Sequence, residues 1–179
     1  MKNTIVINIA GGPGTGKTTV ASRLFSILKE KGYEVENVSE FAKELVWEGR
    51  EQAFNDRLYM HAEQNHRLMQ MNGKLDYIIT DSPLFLTSVY NNYYLKDKFP
   101  ESYNRMIDSV TLETFNLYNN KTYYLNRNTT YKNIGRREDE STANVIDKAI
   151  IDYLTDNRID FLRIDVDNAE DSIIKDLLC

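Results

Sequence analysis

A three-layer α/β fold, with a parallel sheet covered by helices on both faces, is what this sequence predicts, on three observations. Short β-rich runs alternate with longer helical stretches along the whole chain. Two of the runs, "IVINIA" and "YIIT", are almost continuously apolar, as strands buried on both faces are. The chain has 179 residues with three prolines and no Ser/Gly linker, low-complexity tract or internal repeat, which suits a single domain.

The first strand, residues 4–10, is β-branched and apolar and stops at a glycine-rich loop. A helix over residues 17–31 follows. A second strand at 34–39 ends at Glu40 and runs into a helix at 41–47, and a long helix is expected over 51–72. The third strand, 77–80, closes on Asp81. A helix over 101–119 leads to a fourth strand at 122–126. A basic, irregular segment then precedes a helix at 140–155. The fifth strand covers 161–166 and the last helix 169–178. In such sheets ligands bind at the carboxyl ends of the strands, so the chemistry belongs just after each one.

Composition narrows the function classes. With 22 Lys+Arg against 27 Asp+Glu the formal charge is −5, so a basic footprint over the whole surface is missing, although a local basic groove stays open. The single cysteine, Cys179, leaves no internal disulfide and fits a reducing compartment. The apolar run at 5–10 is too short for a leader core, and nothing reaches membrane-span length. The expected location is cytoplasmic.

The loop "GGPGTGKT", residues 11–18, satisfies G-x-x-x-x-G-K-[ST] between a buried strand and a helix. Over Gly12, Pro13, Gly14, Thr15 and Gly16 the glycines let backbone N–H groups converge on phosphate oxygens without a Cβ in the way, and Thr19 extends the nucleotide-binding stretch. Lys17 supplies a point charge for the β- and γ-phosphates, and the Thr18 hydroxyl can coordinate Mg²⁺. The dipole of the helix starting there favours an anion.

Two acidic residues close neighbouring strands. Asp81 can hold the Mg²⁺ shell or accept a proton, and Asp-Ser-Pro equally suits a helix N-cap. The next residue is Ser82, where many ATPases of this class carry a water-orienting glutamate. That moves the reading from hydrolysis toward transfer to an acceptor hydroxyl. Glu40 stands where it can take the acceptor's proton, or it is a solvated first-turn glutamate. Arg127, Lys132, Arg136 and Arg137 cluster after the fourth strand. They form either a lid that brings guanidinium groups to the transferring phosphoryl or a solvated charged loop. His61 and His66 are spaced wrongly for one metal and read as surface or cleft residues. Arg50, Arg57, Gln64 and Arg67 contact an acceptor or line a solvated helix face. Trp47 and "VYNNYYL" read as packing aromatics, with Tyr90, Tyr93 and Tyr94 as candidates for stacking on a base.

In order and spacing, "GGPGTGKTT", "SEFAKELVWE", "DYIITDSPLF" and "GRREDES" resemble the small P-loop kinase-like group labelled as an AAA domain in bacteriophage genomes. This group is similar to the kinase half of nicotinamide-riboside kinases and, more distantly, to deoxynucleoside and nucleoside-monophosphate kinases. The resemblance spans roughly Thr4 to Asp167. It implies a P-loop NTPase fold with strand order 2-3-1-4-5 and a lid at about 127–140. It also implies that Arg127 packs on adenine, that Val166 and Asp167 edge that base, and that Glu40 is the base catalyst. Where deoxynucleoside kinases carry an arginine after the third strand's acidic residue, this chain has Ser82 and Pro83. Some phage relatives look like kinases of 5-hydroxymethyluracil in DNA.

The expectation is therefore a Mg²⁺/ATP-dependent kinase in which Lys17, Glu40, Asp81, Arg136 and Arg137 are catalytic and Thr18 with Asp81 hold the metal. The expected acceptor is nucleoside-like, with 5-hydroxymethyluracil in DNA the most specific candidate and a free nucleoside or nucleotide the alternative. The expectation from another class is a nucleotide-dependent ATPase or switch acting on a partner. The location is then the cytoplasm of a host cell if the gene is phage-borne.

Overall fold

The computed structural model describes residues 2–127 and 140–178. Five strands form one parallel sheet: β1 (Ile5–Ala10), β2 (Val35–Val38), β3 (Tyr77–Thr80), β4 (Asn119–Asn126) and β5 (Leu162–Asp165). Their order is β2-β3-β1-β4-β5, as the resemblance implied. In register, Ile5 pairs with Tyr77 on one side of β1 and with Asn119 on the other.

Side chains alternate across the sheet and divide the core in two. Ile7, Ile9, Ile79 and Leu125 face α1 (Lys17–Glu30) and α7 (Ala169–Leu178), where they meet Leu24, Leu28 and Ile173. Val6, Ala10, Ile78 and Tyr124 face the other layer. That layer holds α3 (Arg57–Met71), α4 (Leu86–Tyr94), α5 (Glu101–Phe115) and α6 (Glu140–Asp156), through Leu68, Val89, Phe115, Ile146 and Ile150. Phe85, fully buried, meets Phe115 edge-on at 5.6 Å between ring centroids.

The helix expected over 101–119 ends at Phe115, and β4 starts at Asn119 instead of 122; two further elements differ from expectation. The stretch at 51–72 is a 3-10 turn, Glu51–Asn55, followed by α3. Asp56 separates them by accepting the Tyr59 N–H at 3.0 Å, an N-cap that starts a new helix. The helix α4 does not appear among the expected elements. Its "LTSVYNNYY" is poor in strong helix formers, and tertiary contacts hold it instead. Buried Asn91, for example, donates to Asn104 Oδ1 of α5 at 2.9 Å. The short helix α2 (Phe41–Trp47) follows β2 as expected.

Candidate active site

The loop between β1 and α1 turns on glycines. Gly14 and Gly16 have φ of 85° and 90°, a region costly for other residues. Gly16 is the N-cap of α1 and makes no side-chain cap bond, and the first turn carries no acidic residue. The leading N–H groups of α1 are therefore presented to an anion. Lys17 Nζ donates to the Gly12 carbonyl at 2.9 Å, and the Thr15 hydroxyl donates to the same oxygen at 3.1 Å. Desolvation lowers the Lys17 pKa, while the charges of Glu40, Asp81 and Asp147 raise it.

Thr18 and Asp81 meet as expected. The Thr18 hydroxyl donates to Asp81 Oδ2 at 2.5 Å, and Asp81 is 8% exposed at the end of the buried β3. This pair joins the phosphate loop to the neighbouring strand. It presents hard oxygen donors of the kind Mg²⁺ takes.

Glu40, half-buried at the N-cap position of α2, has φ −66° and ψ 115° and makes no cap bond. Its backbone neighbours are clamped on both sides by Gln64 of α3. Gln64 Oε1 accepts the Phe41 N–H at 3.1 Å, and Nε2 donates to the Ser39 carbonyl at 3.3 Å. Arg67 of α3 grips Glu44 of α2 with two bonds of 2.6 Å. The backbone around Glu40 is therefore held by α3 through the Gln64 amide.

A cleft of 750 Å³ opens from the phosphate loop. Pro13, Gly14, Gly16, Lys17, Thr18 and Thr19 line one end, and Glu40 and Ser82 stand beside them. The far wall comes from α2, the 3-10 turn, α3 and α4: Trp47, Phe54, Arg57, Met60, Leu86, Tyr90 and Tyr94. Three sequence readings change here. Trp47, expected to pack in the core, is 80% exposed at the cleft rim. His61 is neither a surface nor a cleft residue. It is 4% exposed and bridges Thr87 at 3.1 Å and Thr114 at 2.7 Å. The Thr114 hydroxyl donates to the Val110 and Thr111 carbonyls, so its oxygen accepts from Nε2–H and Nδ1 accepts from Thr87. Burial lowers the His61 pKa, consistent with that neutral ring. Of the four cleft candidates on and beside α3, Arg57 and Gln64 line the cavity, while Arg67 and the exposed Arg50 pair with Glu44 and Glu48.

Sequence reasoning missed Asp147 on α6. Its carboxylate accepts the Gly12 N–H at 2.6 Å and two Arg127 donors at 2.9 and 2.7 Å. Arg127 is thus tied to α6. Val166 lies beside the loop, since a Cβ built on Gly16 would come 3.5 Å from its Cγ1, and Asp167 is exposed. Lys132, Arg136, Arg137 and the body of the expected lid lie outside the described residues. Among the described residues no helix is long and apolar enough to cross a membrane.

The family described as an AAA domain matches residues 6–171. No curated protein matches the sequence. Among solved structures, a NadR protein in complex with NR superposes with a TM-score of 0.72 at 18% identity. The match covers 97% of this chain and 51% of that one, so this chain spans about half of its length. The thymidylate kinase of Ehrlichia chaffeensis gives 0.64 at 17% identity, covering 98% and 100% of the two chains. The deoxyadenosine kinase of M. mycoides gives 0.60 at 18%, covering 96% and 98%. At these identities the likeness is one of fold.

Proposed function

We propose, for a chain that belongs to the AAA domain family, that it is a kinase moving the γ-phosphoryl group of ATP to a hydroxyl of a nucleoside-like acceptor. The observation that carries this is one cleft lined by the phosphate loop, by aromatic side chains from α2, α4 and the 3-10 turn, and by Glu40. The kinases among the structural neighbours support the same reading. The reading takes the chain as one kinase domain, with residues 127–140 as its lid.

The loop N–H groups and Lys17 hold the triphosphate, and charge neutralisation with alignment does most of the catalysis. Among the described residues no group of three or more His, Cys, Asp or Glu assembles, so Thr18 and Asp81 would hold Mg²⁺ together with phosphate oxygens and water. An Mg²⁺ ion held there would supply positive charge that offsets the charge of the triphosphate. Asp81 already accepts the Thr18 hydroxyl, and Glu40 faces the cleft; we therefore give the base role to Glu40. The acceptor oxygen attacks the γ-phosphorus, its proton passes to the Glu40 carboxylate, and the bond to the β,γ-bridging oxygen breaks to release ADP. Arg136 and Arg137 complete the proposal as cations on the transferring group, and Val166 and Asp167 as the edge of the adenine site.

The acceptor proposed first is 5-hydroxymethyluracil carried in DNA. The support is the exposed Trp47 at the open rim, which offers a stacking surface to a base presented from a strand. Labelled ATP offered with nucleosides, nucleoside monophosphates and DNA with or without that base tests it. Label on modified DNA is the expected result. Label on a free nucleoside or nucleotide would keep the kinase and replace the acceptor.

A further inference from the structure

Asp147 is a carboxylate on the sheet-facing side of α6, next to core residue Ile146 and half-buried against the phosphate loop. Its Oδ1 accepts the Gly12 N–H at 2.6 Å and the Tyr124 hydroxyl at 3.0 Å. Its Oδ2 accepts Arg127 Nε at 2.9 Å and a terminal guanidinium nitrogen at 2.7 Å. The Asp147 and Arg127 side chains are 14% and 13% exposed, so this pair is largely withdrawn from solvent. Burial, then the charge of Asp147, raises the pKa of the Tyr124 phenol, which keeps it a donor.

The contact with the loop is intimate. A Cβ built on Gly12 would lie 2.5 Å from Asp147 Oδ1, so the loop approaches this closely only with glycine there. The carbonyl of Gly12 meanwhile accepts Lys17 Nζ. One loop residue is thus held on its N–H side by Asp147 and on its C=O side by Lys17.

A carboxylate one hydrogen bond away from a phosphate loop opposes the binding of a triphosphate, because like charges repel strongly where water is scarce. Arg127 offsets that charge through two parallel bonds. We propose that Asp147 is a positioning residue that fixes the Gly12 stretch of the phosphate loop, and that Arg127 supports nucleotide binding through Asp147 by cancelling its charge. This rests on the reading of the loop as an ATP site. It gives Arg127 a task different from packing on adenine, and it ties the loop to the chain position where residues 128–139 begin.

A double-mutant cycle separates the two tasks. The readout is the Kd of the Mg²⁺ complex of a non-hydrolysable ATP analogue, with folding followed by circular dichroism. Arg127→Ala is expected to weaken binding roughly tenfold, because the Asp147 charge loses the guanidinium that offsets it, while Asp147→Asn keeps an oxygen for Gly12 and costs about twofold to fivefold. The double variant is expected to bind within about threefold of Asp147→Asn alone, a recovery that a merely structural role or a direct Arg127–nucleotide contact does not give. Losses that add would overturn the inference. If Arg127→Ala does not fold, Arg127→Gln, which keeps an amide donor without the charge, takes its place in the same cycle with the same expected sign. Wild-type protein that binds no analogue would overturn the nucleotide reading and this inference together. Wild-type binding with an additive cycle overturns this inference alone.

Discussion

At one end of the cleft, residues 11–18 run consecutively, and their polar groups are already tied: Gly12 to Asp147 and Lys17, Thr18 to Asp81. At the other end, Trp47, Phe54, Arg57, Leu86 and Tyr90 come from four elements, the last two sharing α4, and the largest of them is 80% exposed. The first region is built by backbone amides, which bind an anion wherever a short glycine-rich segment can bend around it. The second is built by helix packing, so its shape depends on how α2, α3 and α4 lie against one another. Triphosphate chemistry is the same for every member of a family, whereas acceptors differ. On the proposed kinase reading, a locally encoded phosphate end would lie beside an acceptor end assembled by tertiary packing.

Substitutions break this contrast in a definite order. Lys17→Ala is expected to lower kcat by roughly 10²–10³-fold with the fold intact, the scale of removing one preorganised charge-stabilising group. Glu40→Gln is expected to lower kcat about a hundredfold while nucleotide Kd stays near wild type, because a base in the proposed role meets only the acceptor. Gln64→Leu should follow in the same direction, with roughly a tenfold loss in kcat, because it frees the backbone on both sides of Glu40. Steady-state kinetics with separate KM values for ATP and acceptor checks all three.

Trp47→Ala acts at the other end. It should raise the acceptor KM about fivefold to tenfold and leave the ATP KM unchanged. Trp47 is the chain's one tryptophan, so its emission also reports acceptor binding directly. Quenching by acceptor and not by ATP is expected, and quenching by ATP alone would place the ring at the wrong end.

The smallest effect concerns pH. Burial depresses the pKa of His61 below its ordinary 6.5, so the unfolded chain binds more protons in that window. Stability from the neutral ring is full above about pH 6.5 and declines as pH falls below it. Melting temperatures of wild type and His61→Gln should therefore converge as pH is lowered from 7.5 to 5.5. Parallel curves would remove His61 from the account.

How much was legible follows the same division. The five strands, their polarity and the Lys17, Thr18 and Asp81 cluster can be read from apolar runs and one motif, because both are local. Glu40 is also found by its place after a strand. Asp147 looks in sequence like any acidic residue on a solvated helix face, and only the packing of α6 brings it 2.6 Å from Gly12. Trp47 fails for the opposite reason: a large aromatic is normally buried, and exposure marks it as unusual only once the helix is placed. His61 sits on a helix of mixed polar and apolar residues, between Met60 and Ala62, so its sequence surroundings do not say which side of the helix is covered. Burial comes from α4 and α5, the former absent from the expected elements.

The central claim is that the loop holds its phosphates in order to give one away. It is tested most directly by the fate of the γ-phosphate when ADP formation and acceptor phosphorylation are followed together. A kinase with Ser82 after Asp81 should produce ADP and phosphorylated acceptor in a ratio near one, with little ADP when the acceptor is withheld. ADP and free phosphate released at the same rate with or without any acceptor would contradict it.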